Sequence, residues 1–169
     1  LKKPVILTVA ALTRTKRIDL VIRAVSGIKN ASLLVVGDGE LKNELKNLGV
    51  KLLGKRFQIL KLPFEKMPEV YRSADLFTLV SEPYYSFEIA LVEAMATNLP
   101  VVANNDPIRK EIVGDAGILV DPTDNDTYTK ALEKGLRINW GSRPRKQAEK
   151  FSWDSVADKY EGLFNEITS

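Results

Sequence analysis

The feature that most constrains the fold is an alternation of short apolar runs with segments of helical period along nearly the whole chain. The first two runs, residues 5–10 and Ser32–Val36, are apolar almost throughout, as is typical of strands buried on both faces. Behind each run, apolar residues recur every three or four positions, which predicts an amphipathic helix. This alternation favours a parallel sheet with helices on both of its faces.

The same pattern continues to the end of the chain. Further strands are predicted at residues 57–60, at 75–80, from Pro100, and at 117–120. In the first half of the chain, helices are predicted to begin at about Lys16, after Gly39, near Pro68 and near Ser86. In the second half, helices are predicted to end at Val113, to cover 128–136 and 145–151, and to begin at Ser152. We therefore predict an α/β fold: one Rossmann-like, doubly wound parallel sheet of about six strands, forming a single domain over residues 1–169.

Composition excludes several kinds of chemistry. The chain has 169 residues, with 44% hydrophobic and 28% charged, and it contains no His and no Cys. A histidine general base, a Ser-His-Asp triad, a disulfide and a thiolate site are therefore excluded. Without a signal peptide or a membrane-spanning run, we expect a cytoplasmic location. Because the first residue is Leu, we also expect a fragment of a longer protein.

Three polar segments after strands have two interpretations each. Lys16 and Arg17 either bind phosphate oxygens or are simply solvated cations, and the missing GxGxxG fingerprint argues against a dinucleotide site. The segment 37–39 either cradles a ligand or, as we favour, makes a tight turn in which Asp38 or Gly39 caps a helix. The pair Asp124 and Asp126 has the spacing of a metal-binding DxD motif, but a helix-capping role is favoured and no metal site is predicted.

The stretch 81–102, SEPYYSFEIALVEAMATNLPVV, is the main candidate site. It predicts the end of a strand, a polar loop, a helix from near Ser86 and another buried strand. The free N–H groups of the first helical turn offer a seat for a diphosphate. Glu93 is a single carboxylate within an apolar part of this helix, where it either accepts hydrogen bonds from ribose hydroxyls or pairs with a Lys or Arg elsewhere in the fold.

Five segments resemble one known family: VILTVAALTRTKRIDLVIRAV, LLVVGDGELKNEL, LVEAMATNLPVVA, EIVGDAGILVDPTD and FSWDSVADKYEGLF. In this order they are similar to the C-terminal half of the family 4 glycosyltransferases, the retaining GT-B enzymes. The resemblance implies one lobe of a GT-B enzyme, which binds a nucleotide-sugar donor such as a UDP- or GDP-sugar and needs no other cofactor. It also implies that the last helix, residues 152–169, crosses towards an N-terminal acceptor-binding lobe.

The resemblance assigns a role to several residues. It implies that Glu93 binds the ribose and that Lys16 stabilises the diphosphate. It further implies that backbone groups bind the sugar and diphosphate at Ser86, Phe87, Glu88 and Ile89, and the base at Leu60, Lys61 and Leu62.

Three positions depart from the family pattern. Tyr85 stands where the first Glu of the E-x7-E motif is expected, Glu88 replaces a glycine, and Ala11 replaces an arginine. Glu82 or Glu88 could substitute for the missing acid, but Glu88 also puts a negative charge near the expected diphosphate. Two such charges about 4 Å apart repel by about 4 kcal/mol at an effective dielectric constant near 20.

The first hypothesis is the donor-binding domain of a metal-independent glycosyltransferase that transfers a hexose to a glycan, lipid or small molecule. We expect the isolated domain to be inactive, with no nucleic-acid partner, and with any peripheral membrane binding provided by the other lobe. A second hypothesis, favoured by the three departures, is a non-catalytic GT-B lobe with a decayed donor site. A third is a nucleotide-sugar epimerase lobe, which the absence of His disfavours.

Overall fold

The computed structural model describes residues 1–82 and 87–168. These residues form six strands: β1 Val5–Val9, β2 Ser32–Val36, β3 Phe57–Leu60, β4 Leu76–Leu79, β5 Val101–Asn104 and β6 Gly117–Val120. All neighbouring strands are parallel, and their order in the sheet is β3-β2-β1-β4-β5-β6. The predicted parallel α/β sheet is therefore confirmed.

Helices connect the strands in the alternation that the sequence predicts. Within the described residues they are α1 Ile18–Ser26, α2 Lys42–Leu53, α3 Met67–Ser73, α4 Ile89–Ala96, α5 Pro107–Val113, α6 Asn125–Arg137, α7 Arg143–Glu149 and α8 Trp153–Thr168. Short 3₁₀ turns lie at Arg14–Lys16, Gly54–Arg56 and Phe64–Lys66.

Two apolar layers enclose the sheet. On one face, Leu7 of β1 packs in a cluster with residues of α3, α4, α5 and α7. On the other face, the neighbouring Ile6 packs with residues of α1, α2 and α6. Successive side chains of a strand point to opposite faces, so an entirely apolar strand supplies both layers at once.

The strand order places a crevice at the centre of the sheet. From β1 the chain moves outwards through β2 and β3, and it then returns to the other side of β1 as β4, with Leu7 opposite Phe77. In open α/β sheets, ligands bind outside the carboxyl ends of strands at such a reversal of order. The segments that leave β1 and β4 contain Lys16 and Glu88, respectively.

Two predicted helix starts are wrong. Lys16 lies in a 3₁₀ turn, and α1 begins at Ile18, because Arg17 adopts a left-handed conformation with φ 39°. The helix predicted from near Ser86 begins at Ile89, because Glu88 has φ 59° and cannot belong to a right-handed helix. Ser86 itself lies outside the described residues.

Helix α8 differs from the other helices in its burial. It contains no buried residue within Trp153–Thr168, and it exposes five large apolar side chains: Trp153, Tyr160, Leu163, Phe164 and Ile167. Ser152 Oγ accepts a hydrogen bond from Ser155 N–H at 3.2 Å, so its predicted N-cap role is confirmed. In the described part of the chain, no helix is long and apolar enough to cross a lipid bilayer.

Candidate functional site

The turns that follow β1 and β2 pack directly against each other. Leu12 N–H donates to Asp38 O at 2.9 Å, and Leu41 N–H donates to Leu12 O at 3.0 Å. A Cβ atom on Gly37 would lie 1.9 Å from Ala10 O, so only glycine allows this approach. The segment 37–39 therefore packs against the turn after β1, and this turn contains Lys16.

Asp38 has a different role from the predicted one. The residue that precedes α2 is Leu41, and no side chain caps that helix. The Asp38 carboxylate instead accepts from Lys61 Nζ at 2.8 Å and from Lys42 Nζ at 3.1 Å. These hydrogen bonds, that of Lys61 first, lower the pKa of Asp38 to about 2. The predicted cap at residues 38–39 is therefore wrong, whereas the tight turn is present.

Glu88 lies at the start of α4 with its side chain directed into the protein. The residue is 7% exposed, and its carboxylate binds Lys16 Nζ at 2.7 and 2.8 Å and Arg109 Nη2 at 3.1 Å. Two cations therefore neutralise the charge that the sequence places near the expected diphosphate. The catalytic roles suggested for Lys16 and Glu88 stay predictions, but the structure brings the two side chains into direct contact.

Arg109 connects this pair to the rest of the sheet edge. It is fully buried on α5, where it donates to Asp106 Oδ2 at 2.8 Å and to Ser81 Oγ. The formal charges of Lys16, Arg109, Glu88 and Asp106 cancel, as expected for charges removed from water. We call these four residues the charge cluster.

Sequence reasoning missed Arg109, although a signal was available. Arg109 precedes Ile112 and Val113 by three and four positions, which places it on the same, buried face of α5. A long cation on an apolar helix face requires a carboxylate partner in the fold. One partner, Asp106, lies three residues earlier at the start of the same helix, whereas the other, Glu88, precedes α4 and could not be named from the sequence.

Glu93 lies about one turn into α4 and is half-buried. Its Oε2 accepts a hydrogen bond from the Tyr71 hydroxyl at 2.7 Å. Burial, with this bond as a second cause, raises the pKa of Tyr71 above its ordinary value. No Lys or Arg among the described residues forms an ion pair with Glu93. The described structure therefore does not show the alternative in which a Lys or Arg side chain pairs with Glu93.

Two clefts adjoin the Glu93 side chain. One, of about 260 Å³, lies between α3 and α4 and is lined by Phe64, Met67 and Tyr71. The other, of about 360 Å³, lies between α4 and the start of α8 and is lined by Phe87, Ile89, Phe151 and Trp153 among others. The space beside the carboxylate is thus open, and aromatic and aliphatic side chains surround it.

The other predicted site residues are placed as follows. Phe87 is 48% exposed, with its ring edge-on to Phe151 at 5.8 Å between centroids, and Ile89 is the exposed first residue of α4. Leu60 ends β3, and its carbonyl accepts from Gly37 N–H at 2.9 Å.

Lys61 and Leu62 follow β3 directly, and Leu62 is half-buried against the layer that contains α3 and α4. Tyr85 and Ser86 lie outside the described residues, so the roles suggested for them stay predictions.

The acidic pair before α6 is a helix cap. Asp124 Oδ1 accepts from the N–H groups of Asp126 and Thr127, each at 3.1 Å, as predicted for a capping residue. Among residues 1–82 and 87–168, no group of three or more acidic side chains is arranged to hold a metal ion.

Solved structures share this fold at low sequence identity. The pneumococcal O-GlcNAc transferase GtfA, solved with UDP and GlcNAc, has a TM-score of 0.81 at 18% identity, over 99% of this chain and 36% of its own. HepE from Anabaena, solved with UDP and glucose, has a TM-score of 0.82 at 20% identity, over 98% of this chain and 48% of its own. At these identities the similarity establishes the fold alone.

Sequence relatives establish the family. The uncharacterized glycosyltransferase MJ1607 of Methanocaldococcus jannaschii is 33% identical over 90% of this chain, and a D-inositol 3-phosphate glycosyltransferase of Corynebacterium jeikeium is 32% identical over 94%. The chain spans 42% of the length of each relative. The family model described as glycosyl transferases group 1 matches residues 3–137. The chain therefore belongs to the group 1 glycosyl transferases.

Proposed function

We propose that this chain is the nucleotide-sugar donor-binding domain of a retaining, metal-independent glycosyltransferase that transfers a hexose to a glycan, lipid or small-molecule acceptor. The observation that carries the proposal is the state of Glu93. Its carboxylate lies beside open clefts, and its hydrogen-bond partner in the described structure is a neutral phenol. Such a carboxylate has acceptor positions left for further hydrogen bonds.

The ribose of a nucleotide fits this environment. Its vicinal hydroxyls are hydrogen-bond donors, and hydrogen bonds to a carboxylate are stronger than those between neutral groups. A half-buried carboxylate also gains more from such donors than an exposed one does, because less water competes for it. The apolar walls of the clefts, which include Phe64 and Phe87, suit the flat faces of a base and a sugar.

The diphosphate would lie near the start of α4. Leu91 N–H is bonded to Glu88 O, and the N–H groups of Ile89 and Ala90 precede it at the positive end of the helix dipole. Lys16 Nζ is at the same edge, held by Glu88. In the proposed mechanism a donor phosphate oxygen takes the proton of the acceptor hydroxyl, and Lys16 stabilises the departing diphosphate.

The remainder of the proposal concerns the longer protein. We propose that an N-terminal lobe of the same polypeptide binds the acceptor and packs on the exposed apolar side chains of α8. The protein would work in the cytoplasm, and contact with a membrane surface would come from that lobe. The UDP present in the solved structures of GtfA and HepE is consistent with a nucleotide donor.

A titration of the chain with UDP, GDP and their hexose conjugates tests the donor site. We expect the wild-type chain to bind at least one of them in calorimetry, and Glu93→Gln to weaken binding by about 10- to 100-fold, as expected for losing a charged hydrogen-bond acceptor. The control is Glu133→Gln, which makes the same charge change on α6, in the opposite helix layer. The absence of any binding by the wild-type chain at millimolar ligand would contradict the proposal.

One observation favours a second candidate, a non-catalytic lobe whose donor site has decayed. Glu88 holds the lysine that the donor phosphates would use, and it adopts a backbone conformation that suits glycine. If the donor site has decayed, the wild-type chain should bind none of UDP, GDP and their hexose conjugates in the same titration. The double variant Tyr85→Glu and Glu88→Gly should then gain affinity for at least one of them. If the site already works, that double change does little.

A further inference from the structure

Tyr71 anchors Glu93 from a rigid position in the core. The residue is 2% exposed on α3, and its ring packs against that of Phe77 with centroids 5.7 Å apart. The Tyr71 hydroxyl lies at the edge of this apolar packing and donates a hydrogen bond to Glu93 Oε2 on α4, with 2.7 Å between the oxygens. A tyrosine side chain has few rotatable bonds, so a packed ring places its hydroxyl accurately.

The chemistry of this pair suits a positioning role. A carboxylate has two oxygens with about four acceptor positions, and the tyrosine hydroxyl takes one position at Oε2. Since the phenol is neutral, it orients the carboxylate without cancelling its charge. A free glutamate side chain would lose rotational freedom when a ligand binds, and an anchored one has already lost it.

We propose that Tyr71 is a positioning residue that holds the Glu93 carboxylate in the orientation needed to select a ribonucleoside diphosphate over its 2′-deoxy counterpart. This inference rests on the proposed function, since it assumes that Glu93 binds the ribose. In this role Tyr71 acts through Glu93.

The test compares Tyr71→Phe with Tyr128→Phe. Each change removes a tyrosine hydroxyl that forms a hydrogen bond inside the protein. The hydroxyl of Tyr71 bonds Glu93, and that of Tyr128 lies 2.7 Å from Thr78 Oγ1 in the core. Both keep the aromatic ring and its packing, so both variants retain the fold. Affinities for UDP, 2′-deoxy-UDP, GDP and 2′-deoxy-GDP are measured by calorimetry on the wild-type chain and on each variant.

We expect the wild-type chain to prefer the ribonucleotide, and Tyr71→Phe to reduce this preference by about tenfold, the value of one hydrogen bond to a charged group. Tyr128→Phe should leave the preference unchanged, although it also loses a buried hydrogen bond. A loss of stability alone would not alter the ratio between ribose and deoxyribose ligands, so the readout reports positioning rather than folding.

The outcomes separate this inference from the proposed function. A ribose preference that Tyr71→Phe preserves, or that Tyr128→Phe reduces equally, overturns the positioning role while the donor site stands. If the wild-type chain binds none of the four nucleotides, the proposed function fails and this inference fails with it.

Discussion

Glu88 combines a left-handed backbone with a buried carboxylate. The φ of 59° costs a residue with a side chain about 1 to 2 kcal/mol. Its carboxylate compensates by binding Lys16 on one side and Arg109 on the other. Arg109 is fully buried. Removing the Glu88 carboxylate would therefore leave part of the buried positive charge of Arg109 without a negative partner, which destabilises the fold.

The residue-scale prediction concerns the stability of the charge cluster. We expect Glu88→Gln to lower the free energy of unfolding by about 3 kcal/mol, since it removes one charge from a buried network. The matched control is Glu82→Gln, an exposed position of the same charge, which should change stability by less than about 0.5 kcal/mol. Urea denaturation monitored by circular dichroism measures both. Equal stability of the two variants would show that the ion pairs of Glu88 contribute nothing.

At the scale of elements, the turns after β1 and β2 behave as one unit. Backbone hydrogen bonds join Leu12 to Asp38 and to Leu41, and Gly37 fits against Ala10 without space for a side chain. The position of Lys16 depends on this contact, because its 3₁₀ turn follows directly. A disturbance at Gly37 is therefore expected to reach the candidate site.

Gly37→Ala tests the close approach of the two turns. The added methyl group would lie 1.9 Å from a backbone oxygen, so we expect a loss of about 3 kcal/mol of unfolding free energy. Gly162→Ala is the control, since α8 offers open space there, and alanine in a helix gains about 0.5 to 1 kcal/mol locally. Chemical denaturation of both variants gives the comparison. A Gly37→Ala chain as stable as the wild type would contradict the described approach of the two turns.

For the whole molecule, the two apolar layers are complete without α8. The buried clusters draw on the sheet and on helices from α1 to α7, whereas α8 contributes partly buried or exposed residues. Its large apolar side chains, including Trp153 and Phe164, form a surface of the kind that marks interaction sites. The domain should thus be stable without this helix.

Deletion of residues 153–169 is the prediction at this scale. We expect the shortened chain to unfold cooperatively, with a free energy of unfolding within about 1 kcal/mol of the full chain, because no side chain of Trp153–Thr168 is buried. Binding of a fluorescent hydrophobic dye should fall as the exposed rings are removed. Thermal unfolding and dye titration measure these effects, and a shortened chain that is unfolded would refute the independence of the core from α8.

The strands and most helices could be predicted from the sequence because their signals are local. An apolar run such as Ser32–Val36 avoids water only when the strand is buried on both faces. All six predicted strands lie in the sheet. Capping by Asp124 and Ser152 was predictable for the same reason, since a cap acts within three residues of its own position.

The site could be predicted only in part. Glu93 was chosen as a candidate because it is an isolated charge in an apolar helix, but its hydrogen-bond partner Tyr71 is 22 residues away. Glu88 was expected to oppose a phosphate, and the structure instead directs it towards Lys16, 72 residues away, and Arg109. The start of α4 was misplaced because the left-handed backbone at Glu88 has no local sequence signal.

The sequence by itself determined the order of strands and helices, since hydrophobic periodicity and caps depend on residues only a few positions apart. Only the tertiary structure decided which charges meet. Parallel strands bring their carboxyl ends to one edge, so Lys16, Glu88 and Arg109 become neighbours although no local pattern links them. The energies of those contacts depend on burial, which arises only once the sheet and both helix layers have formed.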